Sequence, residues 1–280
     1  MKMRKVFPLI AAALGLAITT HAQSMTKGDI LVIVSQGEVM ASDSATGVSM
    51  ALKVGDVLQE GFTVSTGGNS AASLAFANGA LVNLNERTVM EIRRFRMVAS
   101  DVAFDGFSGL VAEPTQSDTR LYLETGQLVG ETRPLDEQSA YMIQAEVGTL
   151  RIVGTSWVFG ASLEQVSAAI IDGMGTLINN LNGSSQSISA GMQLFIQQDA
   201  SGAFVFSGLE QIDPAARQAF IDQINQAFAL GGPALDGGVP ADDAGGAAPA
   251  GPGAGLGGGG FSAAPAVDTS LLTPTPTEAP

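Results

Sequence analysis

From residue 27 to about 210 the chain alternates short apolar runs with turn residues. In "SAASLAFANGALVNLNERT", Ala72, Leu74 and Phe76 alternate with smaller residues. After Asn78-Gly79, Ala80, Val82 and Leu84 alternate with Leu81, Asn83 and Asn85. Asn-Gly between two alternating runs is a strong hairpin signal, because both residues accept a positive φ. The spacing therefore predicts two antiparallel strands joined at Asn78-Gly79. Residues 100 to 119 lose the alternation and read as a loop. "RLYLETGQLVGET" restarts it, with Thr125-Gly126 expected as a turn. Further short runs follow to residue 210, separated by Asp-Gly, Asn-Gly, Ala-Gly and Ser-Gly. Short strands at this spacing predict an all-β domain; on pattern alone a barrel, a sandwich and a curled, solenoid-like sheet all satisfy it.

The period changes at "IDPAARQAFIDQINQAFALGG". Asp213 is a good N-cap, Pro214 suits the first helical position, and Gly231 ends the run. Ala216, Phe220, Ile221, Ile224 and Phe228 fall at helical spacing. One helix over 211–230, packing on the end or edge of the β-domain, is expected. Beyond Gly231 the chain is mostly Gly, Pro, Ala and Asp and closes with "TPTPTEAP". It has too few large apolar residues to bury a core, so 231–280 is expected as a disordered tail.

The first 22 residues follow a different pattern. Lys2, Arg4 and Lys5 precede an apolar run from Val6 to Ile18, and Thr20-His21-Ala22 offers small residues before a cut. This reads as a secretory signal peptide cleaved after Ala22, giving a mature chain from Gln23. A spanning helix needs roughly 20 apolar residues, more than this run supplies. The organisation expected is thus a signal peptide at 1–22, a β-domain at 27–210, a packing helix at 211–230 and a tail at 231–280. The mature chain has no transmembrane segment on this reading, and its location is periplasmic or secreted.

Composition narrows the chemistry. The chain has 13 Lys+Arg and 27 Asp+Glu, and three of the basic residues lie in the signal, so the mature charge is −17. Such a chain repels nucleic acid and anionic lipid. It has no Cys, and its one His, His21, falls in the signal. His-based triads, Cys nucleophiles and metal or haem sites that need N or S ligands are excluded from the mature protein. No cofactor is expected. What remains for catalysis is a carboxylate pair, as in a hydrolase of cell-wall or extracellular glycans. Two carboxyl groups beside Trp157 or Tyr141 would favour that alternative.

Several short motifs, in order, resemble the core of the FecR domain. Gly55-Asp56 stands at the start, followed by Thr66, Asn69, Ser70 and Ala71, then Asn78-Gly79, then Gly126 in "LETGQLVGE", then Gly154-Thr155-Ser156-Trp157-Val158. The resemblance runs from about 48 to 160. It implies a curled or solenoid-like sheet of short strands. The family's best-known members are membrane-bound regulators with a cytoplasmic anti-sigma segment, one transmembrane helix and this domain in the periplasm, where it contacts a signalling partner. On this reading the chain has a signal peptide in place of the cytoplasmic segment, and no spanning helix. The resemblance implies an exported binding or scaffolding module without enzymatic activity, acting in the envelope on a protein or extracellular polymer. Arg93, Arg94 and Arg96 form the one basic cluster of the mature chain and are the candidate partner contact. In a regular strand Arg94 and Arg96 would share one face and Arg93 would take the other. Trp157 is expected in the core, and Asn182-Gly183-Ser184, though a glycosylation sequon, is expected as a turn.

Overall fold

The computed structural model describes residues 24–101, 104 and 109–235. The expected signal peptide and most of the expected tail lie outside them. In chain order the strands are β1 (Thr26–Lys27), β2 (Ile30–Gln36), β3 (Val39–Asp43), β4 (Ser49–Ala51), β5 (Val57–Leu58), β6 (Phe62–Thr66), β7 (Ala71–Phe76), β8 (Leu81–Leu84) and β9 (Val89–Met97). They continue with β10 (Ser117–Glu131), β11 (Ala140–Gln144), β12 (Gly148–Ile152), β13 (Ser156–Ala161), β14 (Gln165–Asp172) and β15 (Met174–Asn179). β16 (Ser185–Ser189), β17 (Met192–Gln198), β18 (Phe204–Phe206) and β19 (Glu210–Gln211) complete the set, and the helix α1 spans Pro214–Leu235.

The strands form two stacked sheets. Sheet A runs β4-β3-β6-β9-β10-β11-β12-β15-β16, with β1 beside the end of β9. Sheet B runs β5-β2-β7-β8-β10-β13-β14-β17, and β18 and β19 both pair with β17. All pairs are antiparallel except β10 with β11. The sheets stay open, with β4 and β16 as the edges of sheet A. The all-β, curled-sheet expectation is met, and no single barrel forms.

One strand belongs to both sheets. β10 pairs with β9 and β11 from Ser117 to Thr125, then with β8 and β13 from Gly126 onward. The sequence reading put a turn at Thr125-Gly126. The strand instead continues and bends there. Gly126 has φ 99°, a conformation that side chains resist. A Cβ at Gly126 would also lie 2.6 Å from the Thr88 Cα. Glycine is needed at this position both for the bend and for the close approach.

The hairpin at Asn78-Gly79 forms as expected: β7 pairs antiparallel with β8, and Gly79 takes φ 89°. Its Asn does more than turn. Asn78 is buried, and its Nδ2 donates to Ser117 Oγ at 3.0 Å, which ties the hairpin to the start of β10.

Between the sheets lies one apolar core, with Phe76, Phe95, Leu121, Tyr141, Trp157 and Phe159 among its largest members. A second cluster sits on the outer side of sheet B. There Leu81, Val129, Val158 and Phe195 meet Phe220 and Ile224 of α1. The helix begins as predicted: Asp213 Oδ1 accepts from the Ala215 and Ala216 N–H groups at 2.9 and 3.0 Å. It continues past residue 230 to Leu235. It does not sit on an end or edge of the domain. It crosses the face of sheet B, because that face is apolar and needs cover.

Candidate functional site

The three arginines stand on β9, whose outward face no element covers among the described residues. β9 reads "VMEIRRFRM", and its burial alternates except at Arg93-Arg94. There the register slips: Arg120 pairs with Arg94, and Leu121 pairs with Ile92, so Arg93 is an extra residue on β9. This bulge corrects the expected geometry. With Ile92 and Phe95 both directed into the core, Arg93 and Arg94 both point outward, on the same face as Arg96.

Register then extends the cluster sideways. Arg94 lies opposite Arg120 on β10, Arg120 opposite Met142 on β11, and Met142 opposite Arg151 on β12. Arg96 lies opposite Lys27 on β1. Six cations thus share the outer face of sheet A: Lys27, Arg93, Arg94, Arg96, Arg120 and Arg151. Arg120 and Arg151 are far apart in sequence from the cluster, and pairing alone brings them to it. No local signal reveals them.

Three carboxylates hold the stripe in place. Asp118 takes Arg94 at 2.8 Å and Arg120 at 2.9 Å. Glu60 takes Arg96 at 2.8 Å and Lys27 at 3.8 Å. Glu91 takes Arg93 at 2.9 Å, and the Arg93 guanidinium lies 3.7 Å above the centre of the Tyr122 ring. The hydrogen bond from Arg96 holds the Glu60 carboxyl below its usual range, and Glu60 in turn raises Arg96. Six cations against three carboxylates leave this stripe positive on a chain whose net charge is −14. Glu124, exposed two residues past Tyr122 in the middle of β10, adds a fourth carboxylate at the end of the sheet A segment, and the stripe stays positive. Exposed ion pairs contribute about 0–1 kcal/mol each, so stability does not explain the arrangement. Guanidinium groups held at fixed spacing on a sheet can bind carboxylates of another molecule bidentately.

The other marked residues go elsewhere. Trp157 and Tyr141 are fully buried in the inter-sheet core, their rings 6.1 Å apart. Burial pushes the Tyr141 phenol well above its usual value. Neither ring lines a cleft, so the carboxylate-and-aromatic site that would favour a hydrolase is not built there. Gly130 shows how tight that core is: a Cβ on it would meet Trp157 Cζ2 at 2.3 Å and the Leu81 carbonyl oxygen at 2.7 Å. Asn182 sits in the β15–β16 turn, with its Oδ1 accepting from the Ser184 N–H at 2.9 Å.

With the sheets and the turn glycines in place, comparison with known proteins decides the domain. The family model described as FecR protein matches residues 62–174. Residues 62–174 are a FecR domain. The match starts at β6 and ends at the first residue of β15. It takes in Thr66, Asn78-Gly79, Gly126 and Gly154-Thr155, and leaves Gly55-Asp56 ahead of it. Arg93, Arg94, Arg96, Arg120 and Arg151 lie within the FecR domain, and Lys27 and Glu60 lie outside it. Two crystal structures of a candidate anti-sigma factor from Parabacteroides distasonis are similar. Each is 14% identical and covers 57% of this chain, with TM-scores of 0.42 and 0.41. The matches span 64% and 63% of those chains, less than two thirds of their length. No curated protein matches the sequence. Among the described residues no helix is long and apolar enough to cross a membrane.

Proposed function

We propose that this chain is an exported, non-enzymatic docking module of the bacterial envelope, which binds an acidic surface of a partner protein through the arginine stripe of its FecR domain. The observation that carries this reading is the stripe itself. Six of the ten basic residues outside the first 22 gather on one face, in register, on strands that need none of them for packing. At physiological ionic strength charges are screened over about 8 Å. A partner on this face therefore senses the local stripe more than the distant acidic residues. The regulatory character of FecR domains supports a role in signalling, with the partner read by contact and no chemistry required.

The test pairs the native chain with a charge-reversed one, Arg93→Glu, Arg94→Glu and Arg120→Glu. Cross-linking in intact cells and recovery from the envelope fraction should give a partner with the native chain. The reversed chain, with an unchanged thermal midpoint, should lose it, and so should the native chain in about 0.5 M salt. Equal recovery by both chains would remove the stripe as the docking site. Mass spectrometry of the exported protein should find Gln23 at its start. An intact Met1 chain confined to the cytoplasm would end the export reading.

A further inference from the structure

Apolar side chains crowd one edge of the sandwich. Val48, Met50, Val54 and Val57 are 64%, 40%, 52% and 53% exposed. They lie on β4, on β5 and in the segments flanking β4, where both sheets end. The opposite edge of sheet A is different: β16 reads "SQSIS", with its single apolar residue, Ile188, buried.

The backbone of β4 is half used. Ala41 lies opposite Met50 and Ser42 opposite Ser49. Asp43 N–H donates to the Val48 carbonyl, and Leu52 N–H donates to the Val39 carbonyl. In an antiparallel pair the bonded positions alternate. Val48, Met50 and Leu52 therefore turn their backbone groups to β3, and Ser49 and Ala51 turn theirs outward. No strand lies beyond β4 among the described residues. Open edges are usually blunted by charge, proline, a bulge or shortness. β4 has only the last, at three residues. From Ser44 to Leu52 there is no charged residue and no proline.

We propose that two copies of the chain pair through β4, antiparallel, about a two-fold axis at Met50. One register satisfies every outward group. With Met50 facing Met50 of the second copy, Ser49 faces Ala51 in both directions, and each of these two pairs exchanges two N–H···O bonds. A shift to either side fails. It would call on the N–H of Gly47, already given to the Asp43 carbonyl, or on that of Lys53, already given to Asp56 Oδ2. The same register sets Val48 against Leu52 and brings the two Met50 side chains together over the open ends of the two cores. It also sets Lys53 against Gly47, beside the turn that carries Asp43, once on each side of the axis. A cation thus approaches a carboxylate twice, and no like charges face each other along β4.

The size of the patch fits a second copy. Four apolar side chains exposed to this degree amount to about 300 Å² per copy, and interfaces are roughly 60% apolar, so about 1,000 Å² is buried in all. That is the lower limit of a specific interface, and it calls for a weak dimer. A two-fold contact is closed: each copy uses up the edge of the other, and the short strand offers nothing to a third. The axis stands perpendicular to the sheet, so both outer faces of sheet A lie on the same side. β9 is three strands in from β4, which puts the two arginine stripes at most about 34 Å apart, seven strand spacings. The dimer presents them together, yet its pairing does not depend on the docking role.

The absence of cysteine gives a clean test. Cα atoms of residues facing each other in a non-bonded pair lie about 4.5 Å apart, within disulfide reach. Met50→Cys should therefore form a linked dimer under mild oxidation, without any partner protein. Ser49→Cys, on the same strand and no less accessible, faces Ala51 and lies about 7–8 Å from its own copy, beyond that reach. It should link at least tenfold more slowly, and equal rates or the reverse order would overturn the proposal. Sedimentation of the purified cysteine-free protein should pass from monomer to dimer between about 1 μM and 0.5 mM. Met50→Lys, which sets two cations together on the axis, should stay monomeric with an unchanged thermal midpoint. A native protein that is monomeric throughout this range, or a Met50→Lys variant that dimerises like it, would overturn the pairing. Raising the salt to about 0.5 M separates this contact from the arginine stripe. Docking should fail, and the dimer of two chains of net charge −14 should hold or tighten as their repulsion is screened. A dimer that falls apart in salt would overturn the apolar pairing and leave the docking reading intact.

Discussion

The outer face of sheet B carries Leu81, Val129, Val158 and Phe195, and α1 lies across it. The outer face of sheet A carries Glu91, Arg94, Arg96, Asp118 and Arg120, and no element covers it among the described residues. The two faces belong to the same stack and share β10, yet their sequences differ in kind. β13 and β14 read "SWVFGA" and "QVSAAIID" and are buried on both sides. β9 and β11 read "VMEIRRFRM" and "AYMIQ", and their burial alternates apart from the bulge at Arg93-Arg94. A strand covered on both faces becomes a nearly continuous apolar run, and one with a wet face keeps its alternation. Energy is concentrated on the covered face, and recognition is free to use the open one.

That contrast predicts unequal mutational costs, and the covered face should show the largest. Phe220 is fully buried between α1 and sheet B. Phe220→Ala should lower the unfolding free energy by about 3–5 kcal/mol, the usual cost of such a cavity. Denaturant titration measures it. A loss below about 1 kcal/mol would mean that the helix is an accessory and that sheet B tolerates water. Asp213→Ala is the milder probe of the same cover. It removes the acceptor for the Ala215 and Ala216 N–H groups and should cost about 1 kcal/mol. Asp213→Asn should restore most of it.

Much of this was readable in the chain. The Asn78-Gly79 hairpin follows from local turn chemistry, as does the start of α1 at Asp213-Pro214. The FecR resemblance also rests on local motifs, and comparison places the domain at 62–174. What escaped depends on pairing between distant segments. Nothing near Gly126 distinguishes a turn from a strand that changes sheets, because a positive φ serves either. Nothing near Arg93 signals a bulge, since the slip is defined by where β10 meets β9. The helix was readable as amphipathic, but what it covers is settled by the apolar outer residues of strands far upstream. Arg120 and Arg151 joined the stripe for the same reason.

On the open face, substitution should separate stability from binding. Arg94→Ala and Arg120→Ala each remove an exposed partner of Asp118 and should change the unfolding free energy by no more than about 1 kcal/mol. Together they should abolish most of the partner capture proposed above. A loss of several kcal/mol from either would show that the stripe is structural, and the distinction between the two faces would fail.

The smallest effect expected is a pH dependence on that same face. Glu60 accepts a forked hydrogen bond from Arg96, which holds its carboxyl below the ordinary value of 4.5. A group whose pKa is depressed by folding binds its proton more readily in the unfolded chain. Its contribution to stability is therefore present above pH 4.5 and is lost as the pH falls through the lowered folded value. Glu60→Gln removes the titration and keeps the size of the side chain. The native protein should be the more stable of the two at neutral pH, and the gap in thermal midpoint should narrow below about pH 4.5 and close in stronger acid. Asp43 and Asp199, whose carboxyls are also lowered, titrate in both proteins and cancel in the difference. Because the pair lies on the solvated face, added salt should shrink the gap at neutral pH as well. A gap that is constant from pH 7 to pH 3 would mean that Glu60 acts by shape and hydrogen bonding alone, and that the charge of the stripe contributes nothing to folding.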